Sequence, residues 1–202
     1  MARLRTHLFA ATSFILLAAC SDGGHRVEGS HHHAATVAVI AAKDAIAVVQ
    51  PTAGNACAGV VRFSEREGHV LIVADISGLS PNARHAVHIH EFGDASSVDG
   101  LSAGGHYNPE GHPHGGLDHD ERHAGDLGNL MADGNGVCHV EISVTNCSIG
   151  GARNPILGRS LVIHAKEDDL VTQPSGNAGP RIAVGVIGVA GPGERPAAAP
   201  AK

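Results

Sequence analysis

The chain has 202 residues with Lys+Arg 14 against Asp+Glu 20, a formal charge of −6. That length suits one domain of ordinary size, and that balance excludes a protein that holds nucleic acid through basic contacts to phosphate. Aromatic residues are 2% with no Trp, and 27 Gly with 10 Pro break the chain too often for a long helical bundle, so turn-rich β-structure with an aliphatic core is expected, while 16 His against 4 Cys point to metal chemistry.

Arg3 and Arg5 precede an apolar run from Leu8 to Ala19, too short to cross a bilayer comfortably but shaped like an export signal. It ends Leu17-Ala18-Ala19-Cys20, which resembles a bacterial lipobox. That resemblance implies a signal peptide over residues 1–19, cleavage before Cys20, lipid on Cys20, and a membrane-anchored lipoprotein outside the cytoplasm, in the periplasm. A cleaved secretory signal with an accidental Cys is the alternative. Loss of Arg3 and Arg5 takes the charge from −6 to −8, so the lipid, not a basic patch, has to hold the membrane. Residues 20–35 are polar, include His25, His31, His32 and His33, and read as a flexible tether. The three consecutive His could gather a metal ion, or serve only as solvated spacer.

The expected domain covers residues 36–190. Short β-branched runs separated by Gly, Pro, Asn and Asp predict antiparallel strands at Ala45–Val49, Gly59–Glu65, His69–Ile76, Ala86–His90, Val137–Val144, Ser160–His164 and Ile182–Val189. An earlier run, Val37–Ala42, fits strand or helix. Glu91 to Asn129 reads as one long irregular segment, which in a small domain needs a functional or metal-based reason to be ordered. Residues 191–202 are Pro- and Ala-rich and are expected to form a disordered tail.

His88 and His90 lie two apart in a strand pattern, so both imidazoles share a face while Val87 and Ile89 take the other. His106, His114, His123 and Asp126 follow in the long segment, and His164 closes a later strand run. Six His and one Asp form a donor set suited to copper and zinc without thiolate, and they suffice for two sites. His85, His112, His119 and His139 read as solvated or local hydrogen-bonding residues.

The stretches HIHEFGD (88–94), GHYNP (105–109), HGG (114–116), ERHAGDLGN (121–129), GRSLVIH (158–164) and GNAGPRIAVGVIG (176–188) resemble the copper/zinc superoxide dismutase family. The likeness runs from about Thr36 to Ala190 with the order and spacing of the ligands intact. It implies an all-β, eight-stranded Greek-key β-barrel with long metal-binding loops, and an enzyme that dismutates superoxide to dioxygen and hydrogen peroxide. It further implies copper on His88, His90, His106 and His164, and zinc on His106, His114, His123 and Asp126, with His106 bridging the two metals. Asp168 matches a carboxylate that takes hydrogen bonds from His88 and His114 and so orients both. Arg181 matches an arginine beside copper that meets the anion, and His106 the residue that passes a proton to the forming peroxide.

Two departures from the family stand in the same alignment. Leu170 to Gly176 is short and uncharged, so a longer charged steering loop is missing. A bridge between the loop before His106 and the strand carrying Arg181 would join positions occupied here by Gly100 and Val184, neither of them Cys. Carried onto the family barrel, Cys57 and Cys138 start strands at the same end of one sheet, which favours pairing them and leaving Cys147 free; Cys138 with Cys147, or three unpaired core thiols, are the alternatives. A homodimer is left open. The competing function is a metal-binding or metal-delivery lipoprotein without catalysis, to which the His-rich tether would belong.

Overall fold

The structure is a computed structural model that describes residues 42–191. The lipobox with Cys20, the tether, the run Val37–Ala42 except its last residue, and nearly all of the tail lie outside the described residues. Eight strands follow in order: β1 Asp44–Pro51, β2 Ala58–Arg66, β3 His69–Ser77, β4 Arg84–His90, β5 Asp126–Met131, β6 Cys138–Val144, β7 Ser160–His164 and β8 Arg181–Val189. A single 3-10 turn at Leu101–Ala103 is the one helical element among the described residues, so no helix there is long and apolar enough to cross a membrane.

All strand pairs are antiparallel, in the order β5-β4-β7-β8-β1-β2-β3-β6, and β5 and β6 approach each other to leave a nearly closed barrel. The chain passes from β3 to β4, and from β6 to β7, between strands that are not neighbours; these are Greek-key crossings. Period-2 alternation explains the first three strands. Ala45, Ala47 and Val49 of β1, Val61 and Phe63 of β2, and Val70, Ile72, Ala74 and Ile76 of β3 point into the core. Among the largest fully buried side chains Phe63 stands beside Ile and Leu residues such as Ile72, Ile76, Ile89, Leu130, Ile163 and Ile187. Each such burial contributes about 1.5–3 kcal/mol.

The alternation fails where the site lies. Every residue of β7 and all but the first of β4 are buried, because loops cover the outer face of this half of the barrel. Val162 and Val184 pack outside it against Ala103 of the 3-10 turn, which pins the loop after β4 to β7 and β8.

Two expectations need correction. The eighth strand is β5, which begins inside the segment read as irregular from Glu91 to Asn129. Its pattern is hidden by a register shift opposite Ala86–His88 and by Gly128 at φ 80, so the buried Leu127 and Leu130 are three apart instead of two. The Cys57–Cys138 pairing also fails: Cys57, Cys138 and Cys147 are all free and buried. Cys57 precedes β2 and Cys138 opens β6, but β3 lies between those strands. Two strand spacings are about 9.5 Å, beyond the roughly 4.4–6.8 Å Cα separation of a disulfide.

Candidate metal centre

On β4, Val87 and Ile89 join the core while His88 and His90, 0% and 1% exposed, face outward beneath the loops. His164 ends β7 in register with Arg181 of β8, and an isolated bridge pairs His106 with His90. His114 and His123 come from the same loop, and Asp126 opens β5. The structure thus gathers all seven residues singled out as candidate ligands into one cluster, His123 joining it through Asp126 and His106.

Around Asp126, three ring nitrogens converge. Asp126 Oδ1 lies 3.0 Å from His106 Nδ1, 3.0 Å from His114 Nδ1 and 3.2 Å from His123 Nδ1, and the Nδ1 atoms of His106 and His123 are 3.4 Å apart. Donors at the about 2.0–2.1 Å of tetrahedral zinc lie about 3.3 Å from one another, so the spacing fits that ion. The backbone N–H groups of Gly115 and His123 donate to Asp126 Oδ2 and fix the carboxylate. His88 also approaches this group, but its Nε2 is engaged elsewhere.

The second group joins one nitrogen each of His88, His90, His106 and His164, all within 4.8 Å of one another. Hydrogen bonds decide which nitrogen each ring can offer. His88 Nε2–H donates to Asp168 Oδ2 at 2.8 Å, His90 Nδ1–H to the Gly104 carbonyl at 2.9 Å, and His164 Nδ1–H to the Gly179 carbonyl at 3.1 Å. Each bond leaves the other nitrogen with a free lone pair. His90 Nε2 and His164 Nε2 then stand 3.3 Å apart, and His88 Nδ1 is buried without a partner. His106 has no anchoring acceptor outside the cluster: Nδ1 faces the Asp126 group and Nε2 is buried without a partner. A ring so placed suits two metals at once.

Charge state follows from burial. Desolvation lowers His88, and takes His90 to about 2, His164 to about 3 and His106 to about 4, so these imidazoles are neutral, as ligands must be. In His114 burial acts the same way but is outweighed by hydrogen bonds to Asp126 and Asp168, which carry it up to about 9. Asp126 and Asp168 pull the opposite way: burial alone would raise them, yet their bonds to these imidazoles hold both carboxyls well below the usual range.

A cavity of about 620 Å³ opens onto His90, His106 and His164, walled by Leu101, Pro174 and Ser175, with Arg181 and Glu91 its charged lining residues. The Arg181 guanidinium donates to the Gly100 and Gly104 carbonyls, so it is held in one orientation; Gly104 O is shared with His90. Asp168 sits behind the rings, accepting from His88 and from His114 Nε2 at 2.8 Å. His85 takes the hydrogen-bonding alternative: it is 1% exposed, its Nδ1–H donates to the His164 carbonyl at 2.8 Å, and Ser80 N–H donates to its Nε2 at 3.2 Å. His139 and His119 are exposed.

Sequence reasoning did not find four supports. The carbonyls of Gly104 and Gly179 carry no side-chain signal. Gly176 is required because a Cβ there, at φ +62, would fall 1.8 Å from Asp168 Oδ1. Gln173, whose carboxamide meets the backbone of His114, had no motif to mark it.

Against known proteins, residues 57–187 match the family model described as copper/zinc superoxide dismutase. The chain is 46% identical over 139 residues to a Cu-Zn superoxide dismutase of Paramecium bursaria Chlorella virus 1, covering 65% of this chain and 73% of that one. It is 37% identical over 182 residues to an extracellular Cu-Zn superoxide dismutase of Onchocerca volvulus, covering 85% and 88%. A crystal structure of the clock protein EA4 superposes with a TM-score of 0.67 at 36% identity, covering 74% of this chain and 96% of that one. The matched residues 57–187 take in β2 to β7, most of β8 and both donor groups, and the chain belongs to the copper/zinc superoxide dismutase family.

Proposed function

We propose that the chain dismutates superoxide outside the cytoplasm, with copper on His88, His90, His106 and His164 and zinc on His106, His114, His123 and Asp126. The enzyme class and the two metals accord with family membership; the residue roles and the location are our reading. The observation that carries it is His106, whose two nitrogens face two donor groups and which no outside acceptor claims. Orphaned His88 Nδ1 and His106 Nε2 are what a metal would satisfy.

Bound copper would supply a one-electron couple that oxidises one superoxide and reduces the next, and zinc a fixed positive charge. Arg181, held by two carbonyls, offers its remaining N–H groups to a small anion in the cavity. His106 borders that cavity, and its unpartnered Nε2 is placed to hold a proton and give it to the departing peroxide. Two superoxide anions and two protons give dioxygen and hydrogen peroxide. Asp168 keeps His88 and His114 in one tautomer through the cycle.

Arg3, Arg5, the apolar run and the lipobox ending at Cys20 support export and lipid anchoring at the periplasmic face of a membrane, and a relative named as extracellular supports export. A homodimer is supported by exposed Val48, Val98 and Val186 along one groove beside β1 and β8. The test is superoxide decay with the copper- and zinc-loaded full chain. A rate above that of free copper is expected; a rate equal to it would favour the metal-delivery reading. Palmitate labelling lost in Cys20→Ala tests the anchor, and sedimentation of wild type against Val48→Glu tests the dimer.

A further inference from the structure

The segment Leu170–Gly176 holds no charge, yet it is firmly built. At its base Asp169 accepts from the N–H groups of Val171 and Thr172, from the Thr172 hydroxyl at 2.6 Å and from Asn177 Nδ2 at 2.9 Å. Asp169 N–H donates to Gly176 O at 2.9 Å and Gly176 N–H to Thr172 O at 2.7 Å, which closes the turn. At its tip Gln173 reaches across to the other loop. Its Oε1 accepts from the His114 N–H at 2.7 Å and its Nε2 donates to the His114 carbonyl at 2.8 Å. One carboxamide therefore satisfies both backbone groups of one residue, as a neighbouring strand would.

His114 is the residue with most to lose from backbone movement. Its Nδ1 meets Asp126 at 3.0 Å, its Nε2 meets Asp168 at 2.8 Å, and Asp168 in turn holds His88 of the other donor group. Immediately after Gln173, Pro174 and Ser175 form part of the wall of the cavity over His90, His106, His164 and Arg181. We propose that Gln173 is a positioning residue that fixes the His114 backbone for zinc and couples zinc occupancy to the cavity wall at Pro174–Ser175. The proposal rests on His114 being a zinc ligand. With zinc bound, His114 is immobile, and the clamp holds the tip of the segment against it; when zinc leaves, the clamp has only a mobile loop to grip, and the wall loosens with it.

The test uses the full chain loaded with copper and zinc, or with copper and cobalt(II) in the zinc site. Gln173→Met keeps side-chain length and removes both hydrogen bonds; Gln173→Glu keeps the acceptor for His114 N–H; Thr172→Val loosens the same turn without touching His114. Expected for Gln173→Met are zinc release to a chromogenic chelator at least tenfold faster, an altered visible absorption of the cobalt site, and a raised KM with kcat less affected. Gln173→Glu should lie between it and wild type, and Thr172→Val should leave the cobalt spectrum unchanged. Wild-type release and spectrum in Gln173→Met would overturn the proposal, as would equal effects of Thr172→Val. His114→Ala separates the two levels. If it holds zinc as wild type does, the ligand assignment fails; if it loses zinc while Gln173→Met keeps it, only the clamp fails.

Discussion

Gly100 lies directly against Val184: a Cβ built on Gly100 would stand 2.7 Å from Val184 Cγ2. These are the two positions where the family bridge would sit, so the chain keeps the contact and replaces the covalent link by packing. Val184, Val162 and Ala103 form a small cluster of their own, and the Gly100 carbonyl accepts from Arg181.

Introducing Gly100→Cys with Val184→Cys should therefore create a bridge. The β-carbons are at most one C–C bond beyond the contact distance, which falls near the roughly 3.5–4.5 Å a disulfide spans. Gly100 has φ 75, so Cys there costs about 1–2 kcal/mol, less than the roughly 2–5 kcal/mol a native bridge contributes. Non-reducing peptide mapping should find one linked peptide, and Tm should rise only in oxidised protein. Two free thiols after oxidation would count against the contact.

Asp168→Asn should loosen both donor groups together, because His88 and His114 each lose a carboxylate partner. A loss of about 10–100-fold in metal affinity is expected. Gly176→Ala should reproduce it from a distance, since its Cβ would displace Asp168 Oδ1. Competition with chelators measures both, and loss of one metal alone would contradict the shared carboxylate.

The strands were legible wherever apolar residues alternate: β1 to β4 and β6 to β8 are all foreseen within a few residues. β5 was not, because the register shift and Gly128 break the period between Leu127 and Leu130. The candidate ligands were legible from residue type, spacing and likeness. What orients them was not: backbone carbonyls at Gly104 and Gly179 look like any other in a sequence, and Gln173 acts through a fold contact between residues 59 apart.

Arg181→Glu should slow superoxide decay more than tenfold with both metals retained. It puts a negative charge where the anion must arrive, and a factor of ten needs only about 1.4 kcal/mol. An unchanged rate would make Arg181 a structural residue.

Burial pushes the Cys57 and Cys147 thiols up to about 12, so almost no thiolate exists near pH 8. Iodoacetamide should leave both unmodified in the folded protein and label both after denaturation. Rapid labelling of either in native protein, or a linked peptide containing either, would contradict free buried thiols.

The most direct test of the two-metal reading is metal analysis of His164→Ala beside wild type, with superoxide decay measured on the same samples. His164 belongs only to the donor group proposed for copper, and its Nδ1 is held by the Gly179 carbonyl. The variant should lose copper and activity while zinc stays near one per chain. Loss of zinc with copper, or full activity without His164, would contradict the assignment.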